Sequence, residues 1–63
     1  MIIHVTDKGK IIKFDLKNEY TKFMNYLEYH GFGSNAQAGI PLVLNDVKEI
    51  KINDFTFCNP ELK

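Results

Sequence analysis

The chain has 63 residues, and eight lysines balance eight acidic residues with no arginine, so its formal net charge at neutral pH is zero. This length predicts one small domain, spanning 1–63. A neutral surface without arginine lacks the positive charge with which nucleic-acid-binding proteins contact phosphates, so nucleic acid is not the expected partner. No apolar run reaches the ~18 residues of a membrane span, and no basic region typical of a signal peptide begins the chain.

The single cysteine, Cys58, excludes a disulfide within the chain. A lone cysteine and no predicted signal peptide indicate a cytoplasmic protein. A core of this size often needs a disulfide, a structural metal or a partner to be stable. We therefore expect a protein partner, or self-association into a homodimer or a higher oligomer.

The first sixteen residues alternate between apolar and polar side chains and predict a β-hairpin that turns at residues 7–10. A loop with an even number of residues pairs Ile3 with Phe14 and Val5 with Ile12, which forms one continuous apolar face. The opposite face then carries Ile2, His4, Thr6, Ile11, Lys13 and Asp15.

A helix is predicted over Glu19–His30, because apolar side chains recur at helical spacing. The predicted core stripe consists of Tyr20, Phe23, Met24 and Leu27. Asn18 is a suitable N-cap, since its side chain can accept a hydrogen bond from the first turn. Gly31 stands where a left-handed residue commonly ends a helix.

The second half of the chain predicts a loop and then strands. Residues 31–39 are small and polar and indicate a connecting loop, in which residues 35–38 are compatible with one helical turn. Ile40–Leu44 has the alternation of a strand, and Pro41 favours an edge position.

The apolar alternation changes phase between Ile52 and Phe55. A two-residue turn at residues 53–54 keeps the side chains on both sides of it on one face, and so does a bulge within one long strand. We expect residues 61–63 to form a frayed tail.

These elements predict an α+β fold of ββαββ(β) order, with one helix packed on one face of a small antiparallel or mixed sheet. The order resembles the β-grasp architecture of ubiquitin-like and immunoglobulin-binding bacterial domains. The resemblance is one of topology and covers most of the chain. It carries no family motif and therefore implies no function.

The outer face of the predicted helix is the leading candidate for partner binding. Its members are Lys22, Tyr26 and Tyr29, with His30 and Phe32 at the helix end. Tyrosine supplies a large contact area with a polar tip and is enriched at interface hot spots. In the alternative interpretation Tyr26 flanks the core, and only Tyr29 is exposed.

The outer face of the predicted sheet and the scattered titratable residues are weaker candidates for function. Ile2 and Ile11 make the outer sheet face more apolar than a fully solvated face needs, so a dimer could use it. His4, His30 and Cys58 lack the spacing of metal ligands or of a nucleophile–base pair. No catalytic, cofactor-binding or metal-binding residues are predicted, and the carboxylates are scattered.

The sequence therefore predicts a protein that is not an enzyme and needs no cofactor. Its predicted role is that of a protein-interaction module, such as an inhibitor, an antitoxin-like protein or an accessory protein that occludes a partner's surface. One alternative is a small-ligand or nucleotide binder with a pocket at an oligomer interface near residues 31–39. A second alternative is a nucleic-acid-binding accessory protein.

Overall fold

The computed structural model describes residues 1–62 and shows an α+β fold in which a β-hairpin, two helices and a second β-hairpin follow one another. The elements are β1 (Ile2–Asp7), β2 (Lys10–Asp15), α1 (Tyr20–Tyr29), α2 (Ser34–Val43), β3 (Glu49–Ile52) and β4 (Phe55–Cys58). The strands form one antiparallel sheet in the order β2-β1-β4-β3. The α+β class is confirmed, but residues 1–62 contain two helices and not one.

The predicted pairing of the first hairpin is confirmed. Ile3 lies opposite Phe14, and Val5 lies opposite Ile12. The turn between the strands consists of Lys8 and Gly9, whose φ angles are 51° and 83°. Positive φ at both central residues is typical of the two-residue turn whose twist matches that of paired strands. The even loop therefore places the apolar side chains of both strands on one face.

The second hairpin matches the first of the two predicted alternatives, the two-residue turn at residues 53–54. Ile52 pairs with Phe55 and Ile50 pairs with Phe57, so these four side chains share one face of the sheet. The chain turns between β3 and β4 with Asn53 at a φ of 53°. Asparagine adopts this left-handed conformation more readily than other residues with a side chain. The phase change in the sequence is thus a turn and not a bulge.

The predicted loop at residues 31–39 and the predicted strand Ile40–Leu44 are both wrong, because helix α2 covers Ser34–Val43. The expected helical turn at residues 35–38 belongs to this helix. Ile40, Pro41 and Leu44 are buried while Leu42 is exposed, which is the pattern of one helical face. Pro41 therefore lies in the last turn of a helix and not in an edge strand.

The second helix determines the direction of the second hairpin. Ten residues of helix carry the chain about 15 Å, close to the length of one strand of this sheet. One helix would bring the chain to the far end of the sheet, whereas a second helix returns it to the end where β2 finished. Strand β4 consequently runs antiparallel to β1, its neighbour in the sheet. The β-grasp resemblance rests on a single helix between the hairpins. The second helix contradicts it.

Helix α1 begins one residue later and ends one residue earlier than predicted. Asn18 is not its N-cap, because the Asn18 side chain donates a hydrogen bond to Asp15 Oδ2 at 3.0 Å. The Asp15 carbonyl oxygen accepts from the backbone N–H groups of Asn18 and Glu19 and closes a tight turn before the helix. At the other end Gly31 is left-handed as predicted, with a φ of 85°.

The hydrophobic core lies between the two helices and one face of the sheet. It consists of Ile3, Val5, Phe14, Phe23, Leu27, Ile40, Leu44 and Phe57. Tyr20, predicted in the core stripe of α1, is 47% exposed, whereas Tyr26 packs against the core. Tyr20 and Tyr26 are equally far from Phe23 in the sequence, three residues before it and three after it. Only Tyr26 packs over the sheet, against Phe14 and Phe55.

The chain after β4 is held by Asn59, a buried polar residue. Its Nδ2 donates to the Leu44 carbonyl oxygen at 2.7 Å, and its Oδ1 accepts from the backbone N–H of Glu61 at 3.1 Å. Its backbone N–H donates to the Lys48 carbonyl oxygen at 2.8 Å. The expected frayed tail is therefore tied down at residues 61–62, and Lys63 lies outside the described residues.

Candidate protein-interaction surfaces

Four of the five predicted partner-binding residues meet at the end of α1, around Phe55 of β4. The His30 ring centre lies 4.5 Å from that of Tyr26, 5.1 Å from that of Tyr29 and 5.0 Å from that of Phe55. The Phe32 ring lies 5.2 Å from Phe55. We call these five residues the aromatic cluster. The Gly31 turn produces it, because the turn sends Phe32 back towards the sheet.

The members of the aromatic cluster differ in exposure. Tyr29 is 85% exposed and His30 is also exposed, while Tyr26 and Phe32 are half-buried and pack against the core. Lys22 stands apart and forms an exposed ion pair with Glu19 at 3.5 Å. The alternative placement of Tyr26 at the flank of the core thus describes the structure. Partner binding by this face stays a prediction, with Tyr29 as its most accessible residue.

Tyr26 and Asp7 each bury a polar atom that lacks a hydrogen-bond partner among residues 1–62. These atoms are the Tyr26 hydroxyl oxygen and Asp7 Oδ1. Desolvation raises the pKa of Tyr26 above 10.0, and the negative charge of Asp7 raises it further. The hydroxyl is consequently held in its neutral form well into the alkaline range.

A second candidate surface, absent from the sequence-based prediction, lies on the outer side of α2. No Asp, Glu, Lys or Arg occurs over residues 29–45, although a quarter of the chain is charged. Leu42 is 67% exposed, and the neighbouring Val43 and Val47 are 46% and 40% exposed. Ala38 is exposed one turn before Leu42, on the same side of the helix. We call Ala38, Leu42, Val43 and Val47 the α2 patch.

The sequence pattern does not reveal the α2 patch, because it predicts a strand over residues 40–44. A strand places Leu42 on the buried face together with Ile40 and Leu44. The helix instead turns Leu42 about 160° away from both Ile40 and Leu44. The long segment without charge was the available signal, since solvent-facing helices usually carry charged side chains.

The face of the sheet opposite the helices is the third candidate surface. Pairing across all four strands aligns Lys13, His4, Cys58 and Glu49 in one row. The next row contains Ile11, Thr6, Thr56 and Lys51. We call these two rows, with the adjoining pair of Ile2 and Asp15, the open sheet face. Its charged residues all lie on the edge strands β2 and β3.

His4 and Cys58 are neighbours on the open sheet face, whereas His30 packs on the inner side against Phe55. The structure therefore separates the two histidines. Within residues 1–62 no group of three or more His, Cys, Asp or Glu side chains is arranged to hold a metal ion. No helix in this part of the chain has the length and apolar character needed to cross a membrane.

No known protein family, curated protein or solved structure matches the chain.

Proposed function

We propose that this protein is a non-enzymatic protein-interaction module that occludes the surface of a partner protein, as an inhibitor, an antitoxin-like protein or an accessory protein does. The observation that carries the proposal is the α2 patch. Leu42 is a large apolar side chain, two-thirds exposed, in a segment with no charged residue. Contiguous exposed apolar side chains on a small domain are characteristic of protein-binding surfaces.

The α2 patch has the geometry of a helix that packs against another helix or lies in a groove. Ala38 and Leu42 are one turn apart, so a small side chain adjoins a large one. A partner can approach closely at Ala38 and enclose Leu42 in a pocket. An enclosed apolar anchor surrounded by smaller contacts is the common energetic centre of a protein interface.

The end of α2 is held in place, which favours binding without rearrangement. Leu44, which follows Val43 in the chain, is fully buried and accepts the hydrogen bond from Asn59 through its carbonyl oxygen. A surface held in its bound conformation avoids the entropy loss of ordering on binding. The lone cysteine, which cannot form a disulfide within the chain, supports the proposal that the protein acts in the cytoplasm.

The test compares proteins captured from the native host by the tagged chain and by the variant Leu42→Lys. Lysine suits the last turn of a helix, so the fold should be retained, while a charge in the centre of the α2 patch should abolish binding. Asn25→Lys is the matched control, because Asn25 is exposed on α1, outside the patch. We expect at least one protein that the wild type and Asn25→Lys retain and that Leu42→Lys loses.

The variant Tyr29→Ala tests the aromatic cluster in the same experiment. Loss of the partner with Tyr29→Ala alone would assign binding to the end of α1, as the sequence predicted. Capture that neither Leu42→Lys nor Tyr29→Ala changes would contradict both surfaces. Nuclease treatment of the lysate tests the alternative of nucleic-acid binding, because proteins bridged by nucleic acid would then be lost from every sample.

A further inference from the structure

The open sheet face has the arrangement of an interface. Its central strands β1 and β4 present only uncharged side chains or histidine, whereas its charges lie on the edge strands. Ile2 and Ile11 are 41% and 64% exposed there. An uncharged centre with a charged rim is the usual anatomy of a protein interface. Both helices pack on the opposite side of the sheet, so neither covers this face.

We propose that the open sheet face binds a second copy of this chain, with a two-fold axis parallel to the strands between β1 and β4. The charge pattern leads to this arrangement. Lys13 and Glu49 stand at opposite ends of one row that crosses the sheet. Rotation about the axis places β2 of one protomer over β3 of its partner. Each Lys13 then faces a Glu49 of the second copy, twice in the dimer.

The same rotation brings the remaining residues into compatible positions. His4 lies over Cys58 of the second copy, because β1 faces β4. Ile11 lies over the aliphatic part of Lys51, whose ammonium group can reach solvent at the edge. Sheets that pack face to face are about 10 Å apart, a distance that the side chains of a lysine and a glutamate bridge together. No like charges face each other.

A second symmetric arrangement, with the axis across the strands, places Glu49 over Lys51 and Lys13 over Ile11. Glu49 and Lys51 already form an ion pair within one chain, with 3.9 Å between their charged atoms. Lys13, by contrast, pairs with no carboxylate among residues 1–62. The axis parallel to the strands gives Lys13 a partner, and it is therefore the arrangement that we infer.

The expected dimer is weak. Four strands at about 4.8 Å spacing and about five residues of length give a footprint of about 320 Å² per protomer. Standard interfaces bury about 800 Å² per partner. An interface this small predicts weak association, so self-association must be measured from about 10 μM to 2 mM protein.

The decisive experiment is a charge exchange followed by sedimentation equilibrium. Lys13→Glu and Glu49→Lys should each raise the dissociation constant about tenfold, because attraction becomes repulsion at two symmetry-related positions. The double variant Lys13→Glu/Glu49→Lys should restore the wild-type value. Lys51→Glu is the matched control and should change the constant less than about threefold, since its site faces Ile11. All three substituted sites are exposed, so circular dichroism should show an unchanged fold.

The thiol of Cys58 provides an independent measurement. Cys58 lies beside His4 within the row that runs from Lys13 to Glu49 on the open sheet face. Dimerisation through this face should therefore slow the reaction of Cys58 with a thiol reagent as protein concentration rises. A wild type that remains monomeric at 2 mM would overturn the inference, and so would failure of the double variant to restore the dimer. Sensitivity to Lys51→Glu in place of Lys13→Glu would overturn the orientation of the axis.

The variant Leu42→Lys separates this inference from the proposed function. It alters the α2 patch, on the other side of the molecule, and should leave the dimer intact. A dimer abolished by Leu42→Lys, with a Cys58 reaction rate that does not depend on protein concentration, would place self-association on α2 and contradict the use of the sheet. Loss of a captured partner with an intact dimer would support both proposals.

Discussion

Substitution of Asn59 by leucine should destabilise the protein more than its position near the end of the chain suggests. Asn59 is only 3% exposed and joins three parts of the fold. Its Nδ2 donates to the Leu44 carbonyl oxygen at 2.7 Å and contacts the Met1 sulfur at 3.2 Å. Its Oδ1 accepts from the Glu61 backbone at 3.1 Å. Leucine has a similar volume but makes none of these hydrogen bonds.

The hydrogen bond to Leu44 determines how much stability the substitution Asn59→Leu removes. A neutral hydrogen bond contributes about 1 kcal/mol, and a buried carbonyl oxygen left without its partner costs about 1–3 kcal/mol. The bond to Glu61 lies near the surface, and water can replace it. The expected loss for Asn59→Leu is therefore about 2–3 kcal/mol. A chain of 63 residues has a total stability of about 3–9 kcal/mol, so this loss is a large fraction of the whole.

Urea denaturation followed by far-UV circular dichroism measures this effect. Asn45→Ala is the control, because Asn45 is exposed just after α2 and should change stability by less than about 0.5 kcal/mol. A loss below about 1 kcal/mol for Asn59→Leu would refute the reasoning, since it would mean that the Leu44 carbonyl oxygen finds another partner at little cost.

Two further substitutions test the end of α1 and the buried hydroxyl. Gly31→Ala should destabilise by about 1 kcal/mol, because φ at Gly31 is +85° and no atom lies near the added methyl group; an unchanged melting temperature would contradict this origin. Tyr26→Phe should equal or exceed the wild type in stability at pH 7, because it removes a buried hydroxyl without a partner. Above pH 10.0 unfolded Tyr26 loses its proton while folded Tyr26, with its raised pKa, keeps it, so wild-type stability should fall with rising pH until the folded pKa is passed. Urea denaturation from pH 8 to 11 should show a steeper decline for the wild type than for Tyr26→Phe, and parallel curves would contradict the pKa shift.

Both hairpins could be predicted from the sequence because alternation in a strand has a period of exactly two residues. Pairing Ile3 with Phe14 and Ile52 with Phe55 was the way to keep each set of apolar side chains on one face. The turn residues agreed with that choice, since Gly9 and Asn53 both accept a positive φ. Local conformation and long-range burial therefore pointed to the same register.

Helix α2 could not be predicted in the same way, because Ile40–Leu44 satisfies both periods. Ile40 and Leu44 are two strand repeats apart and also one helical turn apart. A strand would place Leu42 on the same face as Ile40 and Leu44. The helix instead places Pro41 on their face and exposes Leu42. Pro41 disfavours a helix interior, and the β-branched residues favour a strand locally. Tertiary packing against Phe23 and its neighbours outweighs these local preferences.

The aromatic cluster could be predicted from the sequence only in part, for a related reason. Tyr20 and Tyr26 are equally spaced from Phe23, so helical periodicity cannot tell which of them flanks the core. The sheet determines that Tyr26 is the tyrosine that flanks the core, because Phe14 and Phe55 lie beneath it, with ring centres 5.3 and 6.4 Å from that of Tyr26. Tyr29 remains exposed in either case, and its prediction as an accessible aromatic residue did not depend on that choice.

The second helix also relates the two proposed interfaces to each other. Ile40 and Leu44 pack into the core on one side of the sheet, so the α2 patch faces away from the open sheet face. A dimer formed through the sheet would display its two α2 patches on opposite outer sides. Each protomer could then bind a partner without competing with dimerisation. If that partner is itself dimeric or repetitive, two linked patches would bind it more tightly than one, through effective concentration alone. The charge-exchanged single variants should therefore weaken capture of such a partner, although neither substitution touches the α2 patch.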